Sequence, residues 1–190
     1  MTIKILPYNP TWPAEFQRIG AILRQILGDH ALRINHIGST SVPGLAAKDI
    51  IDLQISVAVL TPTIATAMAD HGFTRRLTID HDHKPPSMVS DRTQWTKWLF
   101  HELSDYRPCN LHMRIEGRAN QRYALLFRDY LRAHPLAAQA YAQVKIALAA
   151  RHADDIAYYY DVKDPVCDII MAGAEGWAQQ SQWTLPATDV

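Results

Sequence analysis

The stretch from Ile50 to Val59 constrains the fold more than any other. Ile51, Leu53, Ile55, Val57 and Val59 face one way while Asp52, Gln54 and Ser56 face the other, a period of two that a β-strand turns into two faces. A sheet with one apolar face and one polar face therefore sits at the centre of the chain. Cys109, Leu111, Met113 and Ile115 alternate in the same way with Asn110, His112, Arg114 and Glu116, and supply a second strand of that kind. Arg33 to Ile37 reads as a short strand, and weaker strand patterns run around Phe73 to Ile79 and Gln94 to Leu103.

Elsewhere the apolar residues recur at helical spacing. Phe16, Ile19, Leu23, Ile26 and Leu27 follow the start signal Asn9-Pro10-Thr11-Trp12-Pro13 and stop at Gly28, and Thr61-Pro62 opens a helix that Gly72 ends. Tyr123, Leu126, Phe127, Tyr130 and Leu131 form a stripe stopped by His134-Pro135, and Ala137, Ala140, Tyr141, Val144 and Leu148 form the next. Asp164-Pro165 reads as N-cap and first residue of a last helix carrying Val166, Ile169, Ile170, Gly173, Ala174 and Trp177. Strands mixed with helices first and helices alone afterwards predict an α+β fold, a mixed sheet flanked by helices with a helical C-terminal part over about 119–178. No repeat, low-complexity tract or linker divides the chain, so one domain is expected over 1–178, followed by a polar, frayed tail over 179–190.

Composition narrows the function. Nineteen Lys plus Arg balance nineteen Asp plus Glu, so the long-range field that draws a protein onto duplex nucleic acid or an anionic membrane is absent, although a local basic pocket is not excluded. With 48% hydrophobic and 20% charged residues the chain is not disordered. No apolar run reaches the roughly 20 residues that span a bilayer, and Met1 to Trp12 lacks a signal-peptide core, so a cytoplasmic protein is expected. Cys109 and Cys167 sit at apolar positions of periodic segments and read as buried thiols.

Chemistry concentrates around one loop. Gly38-Ser39-Thr40-Ser41-Val42-Pro43-Gly44 joins a strand to an expected short helix from Leu45 to Lys48. Backbone N–H groups and the hydroxyls of Ser39, Thr40 and Ser41 suit a phosphate cradle with Lys48 as counter-charge; the plain alternative is a Ser/Gly/Pro turn. The next strand points Asp52 and Gln54 from one face, roughly 7 Å apart by strand rise. If the two polar-faced strands are neighbours, Asn110, His112 and Arg114 converge on that face. Asp52 is then an acceptor, His112 a general base or a structural histidine, and Arg114 an anion clamp or a cross-strand partner of Asp52. Lys97 and Lys163 are either further phosphate contacts or surface lysines. Asp80-His81-Asp82-His83 has metal-ligand residue types, but adjacent ligands lack the spacing of a preformed site, so a solvated hairpin loop is expected there. Ser39, His36 and Asp52 have the residue types of a triad, yet Gly-Ser-Thr-Ser is not a nucleophile elbow.

The run His36-Ile37-Gly38-Ser39-Thr40-Ser41-Val42-Pro43-Gly44-Leu45-Ala46-Ala47-Lys48-Asp49-Ile50-Ile51-Asp52 resembles the signature of the GrpB family, which also occurs fused behind some bacterial dephospho-coenzyme A kinases. The similarity continues through Asn110-Leu111-His112, Phe127-Arg128-Asp129-Tyr130-Leu131-Arg132 and the Tyr159-to-Lys163 spacing. That family is assigned to the nucleotidyltransferase superfamily, whose pattern is Gly-Ser, an acid-x-acid strand, and a third acid on a neighbouring strand. The resemblance implies a nucleotidyltransferase-like sheet, a nucleotide or other small phosphorylated ligand, and a divalent metal, Mg or Mn, arriving with the nucleotide and held by Asp52. Gly38 and Ser39 match the Gly-Ser and Asp52 the first acid; the second acid position holds Gln54, and the third, if it falls on the second polar-faced strand, holds His112. Two readings follow from these departures: transfer of a nucleoside monophosphate to a small acceptor with Asp52 and His112 as catalytic residues, or a catalytically degenerate nucleotide-binding, regulatory or folding-assistance module.

Overall fold

The computed structural model describes residues 2–86, 88–102 and 107–190. The first helix, α1 (Trp12–Leu27), buries Trp12, Phe16, Ile19, Leu23 and Leu27, has Pro in its first turn, and ends at Gly28 with φ of 50°. Then come β1 (Arg33–Ile37), β2 (Ile51–Val57), α2 (Pro62–Asp70), β3 (Phe73–Arg75), β4 (Lys97–Glu102) and β5 (Cys109–Ile115). The Thr61 hydroxyl caps α2 by accepting the Ile64 N–H at 3.4 Å. Three helices close the chain: α3 (Ala119–Ala133), α4 (Pro135–Arg151) and α5 (Ile156–Ser181).

The five strands form one mixed sheet in the order β1-β2-β5-β4-β3. β2 runs antiparallel to β1 and parallel to β5, and β4 is antiparallel to both β5 and β3. This is the expected α+β architecture, a mixed sheet flanked by helices with a helical C-terminal part. One face of the central strands, Ile51, Leu53, Ile55, Val57, Leu111 and Met113, packs with Phe16, Leu23 and Leu27 of α1 and Ile64 and Met68 of α2. Burial on this scale is the main stabilising contribution, at about 1.5–3 kcal/mol per large apolar side chain. α3 lies over the other face. There the buried Gln54 and Ser56 meet Gln121, whose backbone oxygen accepts from Gln54 Nε2 at 3.2 Å and whose own Nε2 donates to Ser56 Oγ at 3.1 Å.

Several expectations fail for physical reasons. β2 stops at Val57, and Val59 is exposed. The strand pattern read to Leu103 is a strand from Lys97 to Glu102, and Leu103 itself lies outside the described residues. No helix forms over Leu45 to Lys48: Ala47 makes an antiparallel bridge to Leu6 instead, exchanging N–H···O bonds of 2.8 and 3.0 Å. Helix α5 starts nine residues before Pro165, because the Asp155 carboxylate accepts the Tyr158 N–H at 2.9 Å and provides a cap there. Pro165 is carried inside the helix. Cys109 and Cys167 are buried and not joined in a disulfide.

The tail is docked, not frayed. Asp189 N–H donates to Ile34 O at 2.9 Å, Ile34 N–H donates to Thr188 Oγ1 at 3.0 Å, and His36 N–H donates to Asp189 Oδ2 at 2.9 Å. The outer edge of β1, otherwise a row of open backbone groups, is thereby covered. Arg128 of α3 donates to the same Asp189 oxygen at 2.9 Å.

Candidate functional site

The parallel register of β2 and β5 sets Asp52 opposite Asn110, Gln54 opposite His112 and Ser56 opposite Arg114. The three polar residues of β5 thus share a face with those of β2, and α3 covers only the Gln54–Ser56 end. The remainder opens into a cleft of about 340 Å³, near the lower bound for a small-molecule site. Its walls come from the Gly38 loop, the β2 and β5 ends, Asp82 and His83, and the facing sides of α3, α4 and α5.

Gly38, with φ of 69°, turns the chain from β1 into a single turn of 3-10 helix, Ser39–Ser41. A side chain here is doubly disfavoured. The φ is one that L-residues rarely adopt, and an added Cβ would lie 2.9 Å from the Asp52 Cβ and closer still to its carboxylate. The Ser41 hydroxyl is used internally, donating to Gly38 O at 2.6 Å, and does not face the cleft. Thr40 pairs with His36 Nε2 at 3.0 Å. His36 stacks on Phe16 at 4.7 Å, and burial pushes its pKa down to about 4, so it is a neutral structural histidine. Of the three hydroxyls, among the described residues that of Ser39 alone is met by a cation: Lys145 Nζ donates to it at 2.8 Å.

Asp52 accepts from Asn110 Nδ2 at 2.9 Å, and His112 Nε2 lies 3.7 Å from the same oxygen. Burial pushes the carboxyl pKa up, but His112 and Asn110 outweigh it and hold the group below its ordinary value. His112 is shifted down, by burial first and by Arg114 and Lys97 after it, against the upward pull of Asp52. The pair is a carboxylate beside a neutral imidazole.

Arg114 is not a free anion clamp, and it does not pair with Asp52. Its Nε and Nη2 donate to the two oxygens of Asp82 at 2.8 and 2.9 Å, and its Nη1 donates to Gln54 Oε1 at 2.5 Å. Lys97 Nζ donates to Asp82 at 2.7 Å and Asn120 Nδ2 at 3.0 Å. Asp82 is therefore the hub of a buried network, the reverse of the solvated hairpin loop read from the sequence. Despite burial, Arg114 first and Lys97 after it hold its carboxyl far below the usual range. Gln54 and Lys97 lie beneath the cleft and do not line it. His81 and His83 are bound to Asp80 and Asp168 at the surface.

The far wall carries residues that sequence reasoning missed. Lys145 of α4 is buried, donating also to Ala46 O at 2.6 Å, with its Nζ 4.6 Å from the centre of the Tyr141 ring. Burial, then the charge of Lys163, push its pKa down to about 7. Lys48 sits over the rings of Tyr159 and Tyr160 at 4.5 and 4.9 Å, and Lys163 lies 5.6 Å from the Tyr160 ring and 3.3 Å from Asp164. Burial lowers the Lys163 pKa, but Tyr141, Cys167 and Asp164 outweigh it, so the group stays protonated. A signal for Lys145 was present: it falls between Tyr141 and Leu148 on the buried stripe of α4. The Asn120 Oδ1 is buried without a hydrogen-bond partner.

A pair of divalent ions does not fit this donor set. At the three acid positions stand one carboxylate, a fully buried amide bonded at both ends, and an imidazole 3.4 Å from the Arg114 guanidinium. Hard cations want oxygen anions in numbers. Among the described residues no group of three or more His, Cys, Asp or Glu gathers as a ligand set, and no helix is long and apolar enough to cross a membrane.

Comparison with known proteins agrees with the sequence resemblance. The "Dephospho-CoA kinase" of Mycolicibacterium paratuberculosis is 35% identical over 95% of this chain, and the chain spans about half, 48%, of that relative's length. The "UPF0157 protein BH1888" of Halalkalibacterium halodurans is 33% identical over 91% of this chain and 83% of its own. The crystal structure of conserved protein GrpB from Enterococcus faecalis superposes with a TM-score of 0.71 at 28% identity, covering 92% of this chain and 99% of that one. A fainter likeness, TM-score 0.46 at 15% identity, relates 76% of the chain to 41% of Cid1 in complex with a UTP analog; at that level neither chemistry nor ligand transfers. With residues 2–172 matching the pattern of the GrpB protein family, the chain belongs to that family.

Proposed function

We propose that the protein binds a phosphorylated ligand of nucleotide size in this cleft, phosphates toward Ser39, Lys48, Lys145 and Lys163, and the sugar or base toward Asp52, Asn110 and the tyrosines. The observation that carries the reading is the convergence of three lysines, from the β1–β2 connection, α4 and α5, on one aromatic-walled cleft. Ammonium groups held together by a fold repel one another, and Lys163 and Lys48 both act to depress Lys145. A bound anion relieves that repulsion. Tyr160, exposed at the mouth of the cleft, offers a ring against which a base or sugar can pack, and Asn120 Oδ1 offers an acceptor to a ligand N–H.

The alternative, transfer of a nucleoside monophosphate with Mg or Mn, is favoured by the pocket-facing Asp52–His112 pair and opposed by the donor set around it. The reading adopted is a nucleotide-binding module, degenerate for nucleotidyl transfer and acting in the cytoplasm. Thermal denaturation with nucleoside mono-, di- and triphosphates tests it. At a hundredfold excess over Kd, binding adds about 2.7 kcal/mol. A shift that grows with phosphate number and falls in Lys163→Met is expected. No shift with any of these ligands at millimolar concentration overturns the proposal.

A further inference from the structure

Ser39 Oγ and Lys145 Nζ lie 2.8 Å apart in the cleft, the reach of a nucleophile and its base. Lys145 is 2% exposed and forms no ion pair with a carboxylate among the described residues. As an ammonium, Nζ donates to Ser39 Oγ and Ala46 O and lies over the Tyr141 ring; on losing a proton it can keep one N–H on Ala46 O and one toward the ring, and its lone pair then accepts the Ser39 O–H. Ala46 O thus orients the base as a third group does in a triad. Its pKa of about 7 leaves a large neutral fraction at physiological pH, set by burial and Lys163 before the weaker opposing pull of Cys167 and Asp52 and the push of Lys48.

We propose that Ser39 and Lys145 are a catalytic nucleophile–base dyad that removes an acyl group from a phosphorylated or nucleotide-bearing ester or thioester held in the cleft. Lys48 and Lys163 hold the phosphate, and Tyr123, Ala124 and Phe127 of α3 form the apolar wall that receives the acyl chain. Acyl transfer is favoured over phosphoryl transfer because the latter relies on metal ions to neutralise charge, for which the donor set is wrong. In the first step the Ser39 hydroxyl proton passes to Lys145 Nζ as the Oγ–C bond forms. The C–O or C–S bond then breaks, and the leaving alkoxide or thiolate takes the proton from the Lys145 ammonium. Water attacks the acyl-serine with Lys145 again as base, releasing the carboxylic acid and restoring the Ser39 hydroxyl.

The dyad rests on the proposed cleft, with which it shares Ser39 and Lys145, but its readout is covalent labelling, which nucleotide binding does not require. The test is labelling of the full chain by an alkyl fluorophosphonate, followed by intact-mass and peptide analysis. The expected result is one adduct, on Ser39, formed with loss of fluoride at a rate that rises with pH and levels above about 7. Ser39→Ala abolishes it. Lys145→Arg, which keeps the charge but cannot take up the proton, lowers the labelling rate about 100-fold or more. If Lys145→Arg does not fold, the wild-type pH profile decides, and a flat rate from pH 5.5 to 8.5 overturns the dyad. So does the lack of a Ser39 adduct in a protein that nucleotides stabilise. Labelling without nucleotide stabilisation overturns the binding reading and leaves the dyad.

Discussion

Replacing Asp82 with Ala should destabilise the protein more than any substitution in the polar residues of the cleft. The carboxylate receives four hydrogen bonds of 2.7 to 3.0 Å, two from Arg114 and one each from Lys97 and Asn120. Its side chain is 15% exposed, and those of Arg114 and Lys97 are 6% and 9% exposed. Without Asp82 two buried cations face each other with no carboxylate between them, and among the described residues Arg114 keeps just the Gln54 oxygen and the His112 ring. Removing one member of a buried ion pair costs about 3–5 kcal/mol, which in a domain of this size corresponds to a fall in Tm of about 6–20 °C. The assay is thermal and denaturant unfolding followed by circular dichroism. Because the folded-state pKa of Asp82 is depressed, its contribution is fully present above the unfolded value of about 4 and is lost as pH falls through the folded value. The gap between wild type and Asp82→Ala should therefore hold from pH 7 to about 4 and narrow below. His81→Ala with His83→Ala is the control from the same segment: the pairs these residues make are at the surface, where solvent screens them, and contribute little. An Asp82→Ala change of Tm no larger than that control's would refute the network's role and restore the solvated loop.

Asp52→Asn should lower the His112 pKa further, since Asp52 holds it up against burial and two cations; imidazole titration by NMR checks this, and an unchanged value refutes the pairing. Gly38→Ala should cost about 1–2 kcal/mol for the left-handed backbone alone and abolish nucleotide-dependent stabilisation by displacing Asp52, read by thermal shift with the ligand. Deleting residues 186–190 should lower Tm and produce concentration-dependent association through the bared β1 edge, visible by sedimentation. Magnesium alone should leave Tm unchanged, whereas a nucleoside triphosphate with magnesium should raise it; tight calorimetric binding of magnesium by the ligand-free protein would show that other acids form a site.

The strands and most helices were legible because burial of apolar side chains imposes a period on sequence, and β1 was read to its ends from Arg33 to Ile37. The convergence of Asp52, Asn110 and His112 followed from two alternating segments, needing only the adjacency that the parallel pairing of β2 and β5 provides. What was lost has no period. Asp82 lies in a segment without strand or helix, placed by hydrogen bonds to residues 15 to 38 positions away. The tail carries few apolar residues and is held by side-chain and backbone hydrogen bonds to β1, some 150 positions distant. Pro165 misled because it is a strong start signal, yet Asp155 already caps the helix. Lys145 was readable in principle, as a cation on a buried stripe, but periodicity alone tells neither a core substitution from a site residue nor what faces it.

The buried network also explains why an amide suits position 54. Gln54 is fully buried between Arg114, to which its oxygen accepts, and the backbone oxygen of Gln121, to which its nitrogen donates. An amide satisfies a donor on one side and an acceptor on the other; a carboxylate would meet the Gln121 oxygen with a lone pair and leave a buried acceptor unmatched. Arg114 meanwhile takes its counter-charge from Asp82, a residue of the connecting segment. The negative charge that a two-metal site would place on β2 is supplied from outside the strand, and it neutralises an arginine where the pattern would have it hold a cation. Position 54 thus positions the arginine and supports α3, while the groups open to a ligand are shifted outward, to Asp52, Ser39 and the lysines of the helical wall.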